Sequence, residues 1–238
     1  MKKLGMLVLA LLVCPVAHAQ YFCTTNGTEL HYVNYDDVGQ STSSETMTVA
    51  NAVNKGGFTG SAEYYDKIVT TKMKNNTSYT KFNWIYDGTN TVCVEDLMYG
   101  PYIASDSDPA RYSEDIKNAM LLDAKFNGDN SLTLNEKASG GEALPDRTFS
   151  YNVSGMLKKE VILSGGSYLA PEKVSTTAGK FDCIKITYLQ QTKQMLKKET
   201  FRVTEWYAED IGLVKREVYT TKGKLRSKKL LTKIVEKD

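Results

Sequence analysis

Apolar and polar residues alternate along several stretches of the chain, which is the pattern of a β-strand with one buried face. Residues 184–188 place two isoleucines and a tyrosine on alternate positions, and residues 203–207 do the same with valine, glutamate and tyrosine. Glycine-containing turn signals separate such runs, as in antiparallel sheets. We predict an all-β fold, a strongly curved antiparallel meander that forms a half-barrel or open barrel. Gly165-Gly166 is predicted to be one of its hairpin turns.

The aromatic residues of two predicted strands allow two interpretations. Phe82, Trp84 and Tyr86 occupy alternate positions and so form a stripe on one strand face. Trp206 and Tyr207 are adjacent, so their rings point to opposite faces. Such rings usually belong to the core, and the alternative is a surface that contacts a sugar or a lipid.

One segment has the features of a helix. Asp108 can cap its first turn, and Pro109 suits the first helical position. Ile116 and Met120 then follow at helical spacing, which predicts an amphipathic helix from about Pro109 to Ala124 that packs against the curved sheet. Its apolar stripe is either permanent core or a lid over a ligand cavity.

The N-terminal residues have the composition of a secretory signal peptide. Lys2 and Lys3 precede an apolar run at residues 4–13, and Ala17-His18-Ala19 offers a cleavage site. The run is too short to span a membrane. We therefore assign residues 1–19 to a signal peptide and residues 20–238 to a single all-β domain, located in the periplasm or on the extracellular, outer side of the envelope. No transmembrane segment is expected after cleavage.

Charge and histidine content narrow the function. The exported part would carry 28 basic and 28 acidic residues, so nucleic acid is not an expected partner. It would retain one histidine, His31, which argues against histidine-rich zinc sites and Ser-His-Asp triads. We expect no cofactor, no metal site and no catalytic residues. Distant carboxylates could still converge in the fold, which leaves a secreted hydrolase as an alternative.

The C-terminal part of the chain is basic. Residues 193–238 contain thirteen basic and seven acidic residues, and the rest of the exported chain compensates. Lysines on solvated faces and protected strand edges explain this pattern. The alternative is a basic patch that meets lipid headgroups, anionic glycans or an acidic partner.

Several C-terminal motifs carry a family resemblance. They are the Ala-Gly-Lys-Phe-Asp-Cys strand at 178–183, Trp-Tyr-Ala at 206–208, Gly-Leu-Val at 212–214 and Lys-Gly-Lys at 222–224. With the opening stretch 23–35, they resemble the TapB-like exported proteins of Bacteroides-type Gram-negative bacteria, a domain of unknown function. The resemblance implies an envelope location and a curved antiparallel sheet, and it brings no catalytic residues.

Three cysteines remain after cleavage, in a compartment that permits disulfides. One disulfide with one buried thiol, or three buried thiols, would both fit. Cys23 and Cys183 fall in segments that match the family, whereas Cys93 lies in the middle of a predicted strand. On the strength of the resemblance, we expect a Cys23–Cys183 disulfide.

These expectations combine into one functional hypothesis. The chain would be an exported, non-catalytic envelope protein that binds an apolar ligand or an envelope protein. The side chains expected to line its site are Phe82, Trp84, Tyr86, Met120 and Trp206. The alternatives are a secreted hydrolase and an assembly scaffold that pairs through an exposed strand edge.

Processing gives the first testable prediction. The exported protein should begin at Gln20, because Ala17-His18-Ala19 presents small residues at the positions that a leader peptidase reads. N-terminal sequencing of protein from the envelope fraction measures this. A lipid-modified Cys14 at the N-terminus would contradict the prediction.

Overall fold

The computed structural model describes residues 20–56, 58–70, 77–99, 125–153 and 157–237. These residues form a single sheet of fourteen strands in which every pairing is antiparallel. The predicted all-β antiparallel fold is confirmed. The described part of the chain contains no helix. The helix predicted at 109–124, with Met120, lies outside the described residues.

The strands follow one another mostly through short turns. Their bounds are β1 Glu29–Asp36, β2 Ser41–Asn54, β3 Gly60–Thr70, β4 Thr77–Tyr86, β5 Asn90–Tyr99, β6 Lys125–Gly128, β7 Ser131–Asn135, β8 Ala143–Leu144, β9 Arg147–Val153, β10 Leu157–Thr176, β11 Gly179–Gln194, β12 Lys197–Ala208, β13 Gly212–Thr220 and β14 Leu225–Val235.

The sheet order brings the two ends of the described chain together in its middle. The strands run β6-β9-β10-β11-β12-β13-β14-β1-β2-β3-β4-β5-β7, and β8 pairs with β10 beside this path. The edge strands β6 and β7 are joined by Asp129 and Asn130 alone. A link of this length spans only about 11 Å, so the two edges of the sheet must lie close to each other.

Side chains bridge the edges without continuing the ladder. The Arg147 guanidinium on β9 donates to the Ser131 carbonyl on β7. The Asn135 amide on β7 donates to the Tyr168 hydroxyl on β10 at 2.7 Å. Since β6 and β7 do not pair with each other, the sheet is strongly curled but not closed.

An aromatic core fills one end of the curl. The Trp84 ring on β4 lies 6.5 Å from that of Tyr207 on β12, although five strands separate β12 from β4 in the sheet order. Phe22, from the segment that precedes β1, stacks on Trp84 at 5.8 Å and is fully buried.

Backbone hydrogen bonds hold this segment across the sheet. The Tyr21 amide donates to Thr91 on β5, and the Asp210 amide donates to the Gln20 carbonyl. The segment 20–23 therefore crosses and plugs this end of the sheet, which we call the core end.

A second, smaller cluster lies on the outer face of the sheet. It contains Val174, Cys183, Trp206, Ala208 and Val214, all buried. The last six residues of β12, 203–208, are consequently buried on both faces. The predicted opposition of Trp206 and Tyr207 is confirmed, because one ring belongs to the outer cluster and the other to the inner core.

The hairpin predicted at Gly165-Gly166 is wrong. Both glycines lie inside β10, where the register with β11 shifts between Ser164 and Ser167. Gly165 has a positive φ of 60°, as expected for a bulge residue. A side chain at Gly166 would meet Leu144 of β8, which pairs there with β10. A glycine pair signals a bulge as readily as a turn, and the long β10–β11 pairing decides in favour of the bulge.

Gly128, at the end of the edge strand β6, tests the close approach of β6 to its neighbour β9. It has a φ of +95°, and an added Cβ would strike the Thr148 carbonyl oxygen of β9. Gly223 has a similar φ of +82° with open space around it, so it is a matched control. Gly223→Ala should cost about 1–2 kcal/mol of unfolding free energy from backbone strain. Gly128→Ala should cost about 1–3 kcal/mol more because of the steric conflict. Urea denaturation measures both, and equal losses would contradict this account.

Candidate cavity inside the curled sheet

A cavity of about 290 Å³ lies on the inner face of the sheet, beyond the aromatic core. Alternate positions show where it begins. On β4, Trp84 and Tyr86 are core residues, and Phe82 lines the cavity. On β11, Ile186 is core, and Tyr188 and Gln190 line the cavity. The inner face therefore changes from a filled core to a hollow as the strands run away from the core end.

Apolar and aromatic side chains make up much of the wall. Those of β9 and β10 alternate with outward residues and form one side, β7 lies on the other side, and β4 and β11 contribute one ring each. This group consists of Phe82, Leu132, Phe149, Val161, Leu163 and Tyr188.

One ion pair in the wall joins β12 to β13. Arg216 Nε on β13 lies 3.2 Å from Glu205 Oε1 on β12. The Tyr207 hydroxyl donates to Glu205 Oε2 at 3.0 Å, and Arg216 Nη2 donates to Gln190 Oε1 at 3.0 Å. Glu205 therefore has partners on both carboxylate oxygens, and a buried pair held in this way is costly to break.

Two other cations reach the cavity without a carboxylate partner among the described residues. Arg147 contacts the Ser131 carbonyl, which is neutral. Lys159 Nζ lies 5.6 Å from the centre of the Tyr151 ring, a cation–π contact. With Arg216, Glu95 and Glu205, they give the wall three basic and two acidic groups. The basic groups of the wall therefore outnumber its acidic groups by one.

The carboxyl group of Glu95 projects from β5 into the same cavity. Burial raises the pKa of this carboxyl above its usual range, although Lys159 and Arg216 oppose the shift. Within the described residues it forms no ion pair. Glu95 is thus a partly buried acid whose neutral form is favoured relative to that of an exposed glutamate.

A further polar cluster lies on β1, β2, β3 and β14. Lys229 Nζ lies 2.5 Å from Glu45 Oε1, and the Asn34 amide donates to Glu45 Oε2 at 3.3 Å. Burial, followed by the charge of Glu45, raises the pKa of Asp66 well above its usual range. The inner face therefore becomes polar on this side as well, where Lys229 pairs with Glu45 and the neutral form of Asp66 is favoured.

Comparison with known families decides the classification. The DUF3108-like family model matches residues 25–231. The chain belongs to the DUF3108-like family. The match does not confirm the TapB-like label that the motifs suggested. No curated protein matches the sequence.

Two solved structures share the fold of this DUF3108-like chain. One is a Bacteroides fragilis protein described as a "putative exported protein with YmcC-like fold", with 21% identity and a TM-score of 0.66. The other is a "putative lipoprotein" from Parabacteroides distasonis, with 16% identity and a TM-score of 0.68. Each comparison covers 91% of this chain and 99% of the other.

The residues predicted to line a ligand site are dispersed. Phe82 lines the cavity, whereas Trp84 and Tyr86 are buried in the core behind it. Trp206 is on the opposite face, where its ring lies 4.2 Å from Lys215 Nζ and its indole N–H donates to Glu172 at 3.1 Å. Met120 lies outside the described residues.

The predicted Cys23–Cys183 disulfide is absent, and the three described cysteines are free thiols. Cys23 packs in the inner core, where its amide donates to the Tyr64 hydroxyl at 2.5 Å. Cys183 belongs to the outer cluster, so the sheet separates the two sulfur atoms. Burial raises the pKa of Cys183 to about 12 and that of Cys93 well above its usual range, so neither thiol is activated as a nucleophile.

The charged residues of the wall were not predicted as site residues, although a local signal exists for some of them. Glu205 stands between Val203 and Tyr207 on an otherwise apolar face, and Arg147 shares a face with Phe149. A charge on the buried side of an alternating strand marks a polar interior.

The described residues contain no group of three or more His, Cys, Asp or Glu side chains placed to hold a metal ion. No helix in that same part of the chain is long and apolar enough to cross a membrane.

Glu95 gives a pH-dependent prediction for this DUF3108-like protein. Because its folded-state pKa is raised, wild-type stability should fall as the pH rises above the unfolded value of about 4.3. Glu95→Gln removes this loss, so the variant should gain stability relative to wild type between pH 4 and 7. Urea denaturation across this range measures the difference.

Asp129 serves as a control of opposite sign. Its hydrogen bonds to Ser131 lower the pKa of the carboxyl, so its contribution is present above about pH 3.9 and is lost in acid. Asp129→Asn should therefore be less stable than wild type at pH 7, and the two should converge at low pH. A Glu95→Gln difference that does not change with pH would contradict the assignment of Glu95.

Proposed function

We propose that this protein is an exported, non-catalytic envelope protein that holds a small apolar ligand with an acidic group inside its curled sheet. The observation that carries the proposal is the cavity, whose apolar wall includes Arg147 and Lys159 without carboxylate partners among the described residues. Concave sites with mostly apolar walls and a few placed polar groups are typical of ligand pockets.

The location rests on two observations. Residues 1–19 have the charge, apolar run and cleavage site of a signal peptide. The two proteins with the same fold are described as an exported protein and as a lipoprotein. An exported, envelope-associated protein agrees with both.

Cavity size limits the ligand. At about 290 Å³, the space is near the lower limit of about 300–1,000 Å³ for small-molecule pockets. A single short acyl chain or one ring system therefore suits it better than a lipid with two long chains. Phe149 and Leu163 offer contact to such an apolar body.

Electrostatics favour an acidic group on that ligand. A cation that is withdrawn from water loses solvation, and a nearby anion restores much of the loss. Arg216 already forms an ion pair with Glu205, whereas Lys159 lies over the Tyr151 ring, acts on Glu95 only through its charge, and forms no ion pair among the described residues. A carboxylate or sulfonate near Lys159 and Arg147 would form charge-assisted hydrogen bonds.

Binding of an apolar anion tests the proposal. The mature protein should bind the dye 1-anilinonaphthalene-8-sulfonate at one site with an increase in fluorescence, and decanoate should displace it. Lys159→Met should weaken binding about tenfold, which corresponds to about 1.4 kcal/mol. Leu163→Trp should abolish binding because the indole fills the cavity. Lys173→Met is the matched control, since this lysine is 84% exposed on the same strand and pairs with Asp182.

The outcomes are distinct. Equal dye affinity of wild type and Leu163→Trp would place the dye elsewhere and contradict the proposal. Equal effects of Lys159→Met and Lys173→Met would show that Lys159 makes no specific contact with an acidic group of the ligand, which contradicts that part of the proposal. Thermal melting of each variant establishes that the fold is retained.

A hydrolase is the second candidate, because Glu95 and Glu205 both line the cavity. Glu95 has the raised pKa expected of a general acid, and Glu205 pairs with Arg216. Turnover of nitrophenyl glycosides by the wild type, lost in Glu95→Gln, would favour this function. The non-catalytic proposal expects no turnover by either protein.

The scaffold alternative has less support. Pairing through a strand edge requires a long unpaired strand. The edge strands β6 and β7 have four and five residues, and the link 129–130 holds them beside each other.

A further inference from the structure

The hairpin between β11 and β12 exposes two large apolar residues. Met195 and Leu196 form its two-residue turn and are 78% and 104% exposed, whereas most large apolar residues of the described sheet are covered. The turn lies at the end of the sheet opposite the core end, since β12 begins here and finishes beside residue Asp210 near the plug. While exposed, these two side chains contribute no hydrophobic stabilisation. Two adjacent apolar side chains at a strand turn therefore mark a candidate interaction surface.

The backbone of this turn is also unfavourable for its sequence. Met195 has a φ of +53°. In two-residue hairpins that take a positive φ at the first turn position, this position usually holds glycine, which has no Cβ to create strain. Met195 thus has the positive φ that glycine adopts more easily, and its exposed side chain gains little packing to offset the backbone strain.

Two like charges beside the turn are also unfavourable for the stability of the hairpin. Lys193 on β11 and Lys198 on β12 are opposite each other in the register, and both are exposed. Like charges directly across a ladder destabilise the pair. Lys197 is paired with Glu199 at 3.1 Å. Glu160 is the register partner of Lys193 on β10, yet neither Lys193 nor Lys198 forms an ion pair within the described residues.

We propose that this hairpin tip docks on an anionic lipid bilayer. Met195 and Leu196 enter the boundary between headgroups and acyl chains, and Lys193 and Lys198 contact lipid phosphates. Apolar residues flanked by lysines are the composition of interfacial membrane-binding segments. Because only two side chains insert and the charges are few, the attachment is reversible and sensitive to salt. The proposal is independent of the cavity and adds a surface that the proposed ligand-binding function does not use.

Vesicle flotation tests the tip with mature protein. We expect binding to vesicles of equal parts phosphatidylglycerol and phosphatidylcholine at low salt, at least tenfold weaker binding to pure phosphatidylcholine, and weaker binding again when salt is raised. Met195→Gly with Leu196→Ser should reduce binding to the anionic vesicles at least tenfold. This double variant retains the fold because glycine suits the positive φ and serine suits an exposed turn.

Three further variants make the test specific. Lys193→Gln with Lys198→Gln should weaken anionic binding several-fold. Phe58→Ser should leave binding unchanged, since Phe58 is 67% exposed between β2 and β3 at the core end. Met195→Trp should show a blue shift of tryptophan emission only with anionic vesicles.

Any of three results would overturn the proposal: no binding to the anionic vesicles, wild-type affinity in the Met195→Gly and Leu196→Ser variant, or wild-type affinity in the double lysine variant. A loss in Phe58→Ser equal to that at the tip would also overturn it, because binding would then lack a defined surface. Thermal melting of each variant confirms folding before flotation.

Discussion

The described part of this protein is one sheet without a second layer, and a sheet must bury one face to be stable. It can do so only by curling until its own strands face one another. Trp84 of β4 meets Tyr207 of β12 for this reason, and Phe22 from the segment before β1 completes the contact. The backbone hydrogen bonds of the sheet determine which strands are neighbours. The contacts between aromatic rings of distant strands determine how strongly the sheet curves.

Curling does not fill the interior evenly. Large rings occupy the core end, and further along the strands Glu95, Arg147, Lys159, Glu205 and Arg216 take inward positions. Charged side chains cannot pack as closely as rings, because each needs partners or solvent. The cavity is thus a consequence of placing charge on the concave face, and its wall carries three basic and two acidic groups.

Much of the sheet could be predicted from alternation alone, because inward and outward positions on β11 and β12 follow a period of two. The same rule placed Cys183 opposite Ile184 and Ile186, but no pattern placed Cys23, which precedes β1, so only the structure shows that the two cysteines lie on opposite faces. The cavity was less accessible to prediction. Its wall combines β4, β5, β7 and β9 through β13, and no local pattern predicts which distant strands face each other. The bulge at Gly165 likewise depends on a long-range register.

The pairing of β1 with β14 has a consequence for the order of events during folding. Glu29 lies opposite Val235, so a strand near the start of the described chain finds one of its two neighbours near the end of it. Contacts this far apart in sequence are slow to form, since the loop between them must be closed first. One flank of β1 stays open until almost the whole chain is available. Before β14 is available, the meander that starts at β1 and the meander that ends at β14 cannot join through this pairing.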